Sequence, residues 1–365
     1  MLDLDSLEKF RKIDKSNILR SIQALPNQCQ HAWNDAKKIN IPSDYKNVKN
    51  LIMCGMGGSG LGARIIESIY MDYLNIPLIR INDYDLPNFA NNNSLVICSS
   101  YSGETEETLE NAKQAIKRKS KWIAIGTGNS LIKLAQKEGV PYYKINPVYN
   151  PSNQPRMAVG YSIIGQLAIT SRIGLLKLDK NFLKNVVKTM DSIIEKNDVK
   201  VEVKKNEAKK LALKLKDKIS IFISAKHLIG AVHTINNQQN ENAKNFSFDF
   251  SIPEINHHLM EGLKYPKTNK KNLFAIFIDS KLYPPRIARR FIITQEVIKK
   301  NNINYYLYQP ESENKLSQAF EVIQFGAYLN FYLSILYNQD PTVIPWVDYF
   351  KKRLGQPLGK YNFIL

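Results

Sequence analysis

The sequence is poor in cysteine, in acidic residues relative to basic ones, and in long apolar runs. Its 365 residues include only three cysteines, at Cys29, Cys54 and Cys98. They are too few and too scattered for a disulfide framework or a cysteine-rich zinc site, and they fit a reducing cytosol. The composition therefore indicates no metal site and no disulfides.

The sequence also lacks a predicted membrane segment. The most apolar long stretch, residues 325–337, is shorter than the roughly 18–20 residues needed to cross a bilayer. The first residues, MLDLDSLEKF, carry acidic side chains and lack the apolar run of a secretory signal. We therefore expect a cytoplasmic protein that does not interact with membranes.

Acidic residues are outnumbered, since 51 Lys and Arg stand against 33 Asp and Glu and give a formal net charge of +18. Such an excess raises the hypothesis of nucleic-acid binding, because phosphate backbones attract clustered cations. Here the lysines are spread along helical-looking segments such as residues 204–218, which is typical of a solvated helix face. We expect no nucleic-acid partner, and a positive field that attracts small anionic substrates.

Short apolar runs alternate with helical patterns along the first half of the chain. Five runs, rich in β-forming residues and bounded by Gly, Asn or Pro, predict buried strands at residues 50–55, 76–81, 94–100, 122–128 and 140–145. The segments between and after them predict helices at residues 61–73, 105–119, 130–138 and 162–176. Strand and helix alternation of this kind indicates a mostly parallel sheet with helices on both faces.

The second half repeats the pattern after a Lys- and Glu-rich helical stretch at residues 181–218. Strands are predicted at residues 219–224, 273–279 and 303–309, and helices at residues 285–300 and 313–337. The predicted fold is therefore α/β, with two doubly wound domains that each hold a mostly parallel sheet flanked by helices. We place the domains at residues 1–176 and 177–365.

A glycine-rich loop, GMGGSGLG at Gly55–Gly62, joins the first predicted strand to a helix. Backbone N–H groups at a helix N-terminus form an anion site, and glycines let a phosphate approach closely. A Walker A loop is excluded because no Gly-Lys-Ser/Thr is present. Gly55, Gly57 and Gly60 also fit the dinucleotide fingerprint G-x-G-x-x-G, with Asp83 as the ribose ligand, so an NAD(P)-dependent Rossmann oxidoreductase is one hypothesis.

A second loop, SSYSGETEET, follows the third predicted strand. Because neighbouring parallel strands end at one crevice, we expect both loops to meet there. Backbone N–H groups, including that of Gly58, would then surround a phosphate monoester together with four hydroxyls, those of Ser59, Ser100, Ser102 and Thr105. The alternative is that Ser102 or Thr105 only caps the following helix.

These two loops resemble those of sugar isomerase (SIS) domains, which bind phosphosugars. Four further segments in the same order extend the resemblance to the bifunctional phosphoglucose/phosphomannose isomerases over about residues 45–355. They are PSNQPRMAVGYS at residues 151–162, ENAKNF at 241–246, EINHHLMEG at 254–262 and DPTVIPWVDYFKKRL at 340–354.

The resemblance implies an enzyme that interconverts glucose 6-phosphate, and mannose 6-phosphate, with fructose 6-phosphate through a cis-enediol. Such chemistry needs a carboxylate base, a cation beside the developing oxyanion and an acid–base pair for ring opening, with no metal or other cofactor required. The family pattern assigns the base to Glu241 and the cation to Arg156. Without the resemblance, the sequence favours a solvated carboxylate on a polar helix for Glu241, and the alternative for Arg156 is a surface ion pair.

Ring opening is assigned by the same resemblance to His257, preceded by Asn256, and to Lys351. A second histidine, His258, follows His257, and a second lysine, Lys352, follows Lys351. Since both residues of a pair have the same side chain, the sequence leaves open which histidine and which lysine acts. In the family this histidine comes from the partner subunit, so the resemblance also implies a homodimer. A non-catalytic phosphosugar sensor that keeps the phosphate loops and lacks the base is the other open alternative.

Overall fold

The computed structural model describes residues 4–355, and its framework is two β-sheets, one in each half of the chain. The first contains β1 (Asn50–Cys54), β2 (Leu78–Ile81), β3 (Ser94–Ser99), β4 (Lys121–Gly126) and β5 (Tyr142–Lys144). The second contains β6 (Ile219–Ala225), β7 (Ser247–Ile252), β8 (Leu273–Ile278) and β9 (Asn304–Tyr308). All neighbouring strands in both sheets are parallel, in the orders β2-β1-β3-β4-β5 and β7-β6-β8-β9. The predicted α/β fold with two parallel sheets is confirmed.

Helices cover both sheets and fill the space between them. Those of the first half are α1 (Leu7–Ile13), α2 (Ile18–Gln23), α3 (Leu25–Ala36), α4 (Leu61–Tyr70), α5 (Glu106–Lys117), α6 (Asn129–Lys137) and α7 (Val159–Arg172). Those of the second half are α8 (Phe182–Asn197), α9 (Glu207–Leu215), α10 (Ile229–Gln238), α11 (Leu259–Gly262), α12 (Asn269–Asn272), α13 (Pro285–Lys300), α14 (Lys315–Leu336) and α15 (Pro345–Leu354). Short 3-10 helices occur at Ser43–Lys46, Gly57–Gly60, Met71–Tyr73, Pro155–Met157, Lys226–Leu228 and Glu254–His257.

Helix α14 is the central helix of the second half. It is long and apolar enough to cross a membrane, but the whole of its most apolar window is buried within the protein. It packs against α8, α9 and α10, and these helices cover its apolar side chains. A helix that is apolar all round is therefore expected here without a membrane. Helices α4 and α10 also touch closely, since a Cβ on Gly230 would lie 2.8 Å from the carbonyl oxygen of Arg64. The domain boundary near residue 177 remains a prediction, and residues 356–365 of the second domain lie outside the described residues.

Three local expectations differ from the structure. The stretch at residues 181–218 is two helices, α8 and α9, because the side chain of Asn206 caps a new helix by accepting the N–H of Lys209. The edge strand β7 was not predicted, since its half-exposed sequence, SFDFSI, follows directly on a helical segment. Helices α1, α2 and α3 were not predicted either, and they pack mainly on other helices.

The strand order explains where a ligand can bind. In the first sheet the chain runs from β1 to β2 on one side and then to β3 on the other side of β1. Crevices of α/β sheets open at such a reversal, beyond the carboxyl ends of the strands. The glycine-rich loop follows β1 and the serine-rich loop follows β3, so both enter the same crevice.

Candidate active site

The two predicted phosphate loops are in direct contact. The backbone N–H of Tyr101 donates to Oγ of Ser59 over 2.8 Å, and Ser59 is itself buried. The carbonyl oxygen of Ser59 accepts hydrogen bonds from Ser162 and Gln166 of α7, which fixes the loop from below. Asp83, the ribose ligand of the dinucleotide alternative, instead accepts the N–H of Tyr84 and is exposed.

A cluster of hydroxyls stands at the start of α5. Oγ of Ser100, which is fully buried, lies 2.7 Å from Oγ1 of Thr105 and 3.5 Å from Oγ of Ser102. It also accepts the backbone N–H groups of Gly103 and Thr105. Thr105 is the N-cap residue of α5, but its side chain caps no backbone N–H. The capping alternative is therefore wrong for the Thr105 hydroxyl, and the N-terminus of α5 keeps N–H groups for an anion.

The carboxylates beside this cluster point to other partners. Glu104 accepts the N–H and the hydroxyl of Ser130, each over 2.9 Å, and these bonds lower the pKa of Glu104. Glu106 accepts the hydroxyl of Tyr84. Both acidic side chains are thus engaged beside the loop, and the crevice itself is lined by hydroxyls and N–H groups that suit a phosphate.

The glycine-rich loop also touches the segment that carries Arg156. A Cβ on Gly58 would lie 2.8 Å from the carbonyl oxygen of Pro155 and 3.3 Å from Cα of Arg156. Only a glycine permits this approach, because backbone atoms occupy the position of any side chain. The two loops and the segment that carries Arg156 are therefore adjacent in the structure.

The guanidinium of Arg156 is almost entirely engaged by protein groups, and the residue is only 3% exposed. Its Nε donates to Asn242 over 2.5 Å, and one Nη1 hydrogen goes to Gln154 over 2.8 Å. Both Nη2 hydrogens go to carbonyl oxygens, of Pro341 over 2.9 Å and of Thr342 over 2.7 Å. Since a guanidinium has five N–H groups, a single N–H, on Nη1, is left without a hydrogen bond among the described residues.

The nitrogen that carries this N–H lies near Glu241, whose Oε2 is 3.8 Å from Nη1 of Arg156. Glu241 lies in a π-helical turn, Gln239–Ala243, that continues α10. The sequence pattern predicted an ordinary helix here, and π turns are frequent at functional sites. Burial raises the pKa of Glu241, while the charges of Arg156, Lys351 and Lys244 lower it. The carboxylate is thus partly shielded from water and surrounded by cations.

Lys351 lies on α15, within electrostatic reach of Glu241. Lys352 is not among the groups that shift the pKa of this carboxylate. Helical geometry explains the difference, because successive residues on a helix point about 100° apart. The structure therefore brings Arg156 to Glu241 and places Lys351, but not Lys352, where its charge acts on this carboxylate.

No hydrogen bond, ion pair or ring contact among the described residues joins His257 to these three. It is exposed in a 3-10 turn after β7, and it makes no hydrogen bond, ion pair or ring contact within residues 4–355. Asn256 is fixed against α13 by Thr294 and Arg290, and the ring of His258 lies 6.4 Å from that of Phe250. Of these two histidines, His257 is the one whose ring has no hydrogen bond, ion pair or aromatic contact within this part of the chain.

Sequence reasoning missed several residues that build the site. Lys244 donates to the carbonyl oxygen of Asp340 over 2.6 Å, and Asn242 holds Arg156. Oγ1 of Thr342 is buried and has no hydrogen-bond partner among the described residues. Asn242 and Lys244 belong to the ENAK segment, but the sequence pattern does not show that they bind Arg156 and the carbonyl oxygen of Asp340. Among the described residues, no group of three or more His, Cys, Asp or Glu is placed to hold a metal ion.

Both halves of the chain are similar to known proteins. A family model described as the bacterial phospho-glucose isomerase C-terminal SIS domain matches residues 204–354. The bifunctional phosphoglucose/phosphomannose isomerase of Caldicellulosiruptor bescii is 31% identical over 344 residues, which are 93% of this chain and 99% of that protein. The protein of the same name from Aquifex aeolicus is 26% identical, over 89% of this chain and 95% of the relative.

Solved structures agree in fold. A hypothetical protein from Thermus thermophilus has a TM-score of 0.74 at 14% identity, over 96% of this chain and 94% of that one. The tagatose-6-phosphate ketose/aldose isomerase of Escherichia coli has a TM-score of 0.62 at 13% identity, over 93% and 96% of the two chains. At such low identities the likeness concerns the fold alone.

Proposed function

Because the chain belongs to the family of bifunctional phosphoglucose/phosphomannose isomerases, we propose that it interconverts glucose 6-phosphate and mannose 6-phosphate with fructose 6-phosphate. The observation that carries this proposal is the contact of Gly58 with the Arg156 segment, which joins a phosphate site to a carboxylate flanked by cations. A phosphosugar seated on the loops would extend its carbon chain toward Glu241.

The phosphate group would occupy the crevice between β1 and β3. The hydroxyls of Ser59, Ser100, Ser102 and Thr105 would hydrogen-bond its oxygens, together with backbone N–H groups of the Gly58 loop and of α5. Hydrogen bonds to a charged acceptor are about twice as strong as neutral ones, so these contacts would anchor the substrate.

Glu241 would act as the general base. It would take the proton from C2 of the open-chain aldose, which leaves a cis-enediolate with its charge on O1. A proton would then pass from O2 to O1, and Glu241 would return its proton to C1 to give the ketose. The same carboxylate performs the reverse reaction. Since abstraction from C2 leaves a planar carbon, reprotonation at C2 on either face would connect the glucose and mannose series.

Arg156 would stabilise the enediolate by its permanent charge and by the one N–H that the protein leaves unused. Lys351 would serve ring opening, with its ammonium near the reacting end of the sugar. Electrostatic stabilisation in a partly dry site is worth more than in water, which suits the buried position of Arg156.

His257 would complete ring opening from a second copy of the chain. Its exposed position, with no hydrogen bond, ion pair or ring contact of its imidazole among the described residues, supports this role. The active form would then be a homodimer with two sites, each of which uses His257 of the partner subunit. We also propose a cytoplasmic location, in agreement with three free, buried cysteines.

The test is an activity assay with purified protein and fructose 6-phosphate in the presence of EDTA. Both glucose 6-phosphate and mannose 6-phosphate should form. Glu241→Gln should abolish turnover and retain binding of fructose 6-phosphate. Binding without turnover by the wild-type protein would instead favour a phosphosugar sensor, and tight NAD(P) binding would favour an oxidoreductase.

A further inference from the structure

The short segment before the C-terminal helix turns three successive carbonyl oxygens toward two cations. We name residues 340–342 the carbonyl turn. Lys244 donates to the carbonyl of Asp340 over 2.6 Å, and Arg156 donates to those of Pro341 and Thr342. The turn is closed internally, because the N–H of Thr342 donates to the Asp340 carboxylate over 2.8 Å.

Both cations are held by one residue of the π-helical turn. Asn242 accepts Nε of Arg156 with its side chain and accepts Nζ of Lys244 with its backbone carbonyl, over 3.1 Å. Lys244 ends the turn in a left-handed conformation, with φ of 52°. The residues next to Glu241 therefore also hold the carbonyl turn.

Helix α15 depends on this attachment for its position. None of its residues is buried, and Trp346 at its start is 81% exposed. A helix without a buried face gains little from packing, so the chain that leads into it decides where it lies. Lys351 is carried on this helix and lies within electrostatic reach of Glu241.

We propose that Lys244 is a positioning residue that, with Arg156, holds the carbonyl turn and thereby keeps Lys351 beside Glu241. Lys244 acts through the carbonyl of Asp340 and not on the sugar. The roles of Lys351 and Glu241 in this inference rest on the proposed function, whereas the attachment of α15 does not.

The charge of Lys244 is sensitive to pH. The side chain as a whole is exposed, but partial burial of its ammonium and the nearby charge of Arg156 lower the pKa of Lys244 to about 8, while Asp340 and Glu241 act in the opposite direction. Above this pH the amine loses its charge and its attraction for the carbonyl of Asp340 weakens. The folded protein binds this proton less tightly than the unfolded chain, so the contribution of Lys244 to stability improves as the pH rises through about 8. If activity falls above that pH, unfolding caused by Lys244 is therefore not the reason.

The experiment compares Lys244→Met with Lys244→Arg, which restores a permanent charge. Lys119→Met is the matched control, because Lys119 is also exposed and left-handed, with φ of 57°, but lies at the far end of α5. Turnover of fructose 6-phosphate and hydrogen–deuterium exchange of residues 345–354 are measured for each protein.

Lys244→Met should lower kcat roughly 10- to 100-fold, because a displacement of about 1 Å at a catalytic group has effects of that size. Its KM should change less than about twofold, since the phosphate loops are untouched. Amide exchange in α15 should accelerate, exchange in α4 and α5 should not, and Lys244→Arg should restore kcat and stay active above pH 8.

Unchanged exchange in α15 would overturn the positioning role. A fall in kcat with unchanged exchange would mean that Lys244 acts by its charge, either on Glu241 or on the substrate, and does not act by holding α15. If the wild-type protein has no isomerase activity, the proposed function fails, while the exchange comparison still decides whether Lys244 holds α15.

Discussion

Nη1 of Arg156 lies 3.8 Å from Oε2 of Glu241, and this pair sets the ionisation of the proposed base. Burial of Glu241 raises its pKa, and the positive charge of Arg156 is the largest of the effects that lower it. The pair thus balances a partly dry environment, which favours the protonated acid, against a charge that favours the carboxylate.

Arg156→Gln should move the acidic limb of the kcat/KM profile to higher pH. Without the guanidinium, burial acts on Glu241 with less opposition, so a higher pH is needed to ionise the base. Since the pKa of Glu241 is higher in the folded protein than in the unfolded chain, protonation of Glu241 at low pH stabilises the folded protein. A loss of activity at low pH is therefore not explained by unfolding that this residue causes.

The control for this experiment is Arg118→Gln. Arg118 also donates to a backbone carbonyl, that of Pro87, but it is not among the groups that shift the pKa of Glu241. Its profile should match that of the wild type. An acidic limb that stays in place or moves to lower pH in Arg156→Gln would contradict the pairing.

The strands of both sheets, except β7, were predictable because they are short apolar runs bounded by turn residues. The meeting of Ser59 with Tyr101 also follows from the sequence, since parallel strands end at one edge. The π-helical turn was not predictable, because nothing in QNENA distinguishes it from an α-helix. The engagement of Arg156 by the carbonyl turn depends on two segments about 185 residues apart in sequence, and no local pattern reveals such a contact.

Lys351→Met should lower kcat for ring-closed substrate more strongly than Lys352→Met. Lys351 lies within electrostatic reach of Glu241, whereas Lys352 does not affect its pKa. Loss of Lys351 should also shift the acidic limb to higher pH, because one of the charges that favour the carboxylate is removed. Steady-state kinetics of both variants across the pH range check this, and equal effects of the two substitutions would contradict the assignment.

Ser100→Ala should weaken substrate binding more than it slows chemistry. A hydrogen bond to a charged group contributes about 1.5–3 kcal/mol, so KM for fructose 6-phosphate should rise roughly 10- to 100-fold. Ser120→Ala is the matched control, because Ser120 is also buried near α5, at its other end, and its hydroxyl has no partner among the described residues. Inorganic phosphate inhibition, measured for both variants, should weaken only in Ser100→Ala. Equal inhibition constants would remove Ser100 from the phosphate site.

Mixing two inactive variants tests whether His257 acts across a subunit interface. His257→Ala keeps Glu241, and Glu241→Gln keeps His257, so each homodimer should lack one required group. In a mixed dimer, the chain with an intact Glu241 would receive an intact His257 from its partner, and one of the two sites would work. After random subunit exchange, half of the dimers are mixed, and activity should reach about a quarter of the wild-type value. If His257 served the site of its own chain, every site in the mixture would lack either the base or the histidine and no activity would return. A second mixture, of His257→Ala with Lys351→Met, asks which chain supplies Lys351. Restored activity would show that Lys351 and Glu241 of one site come from the same chain.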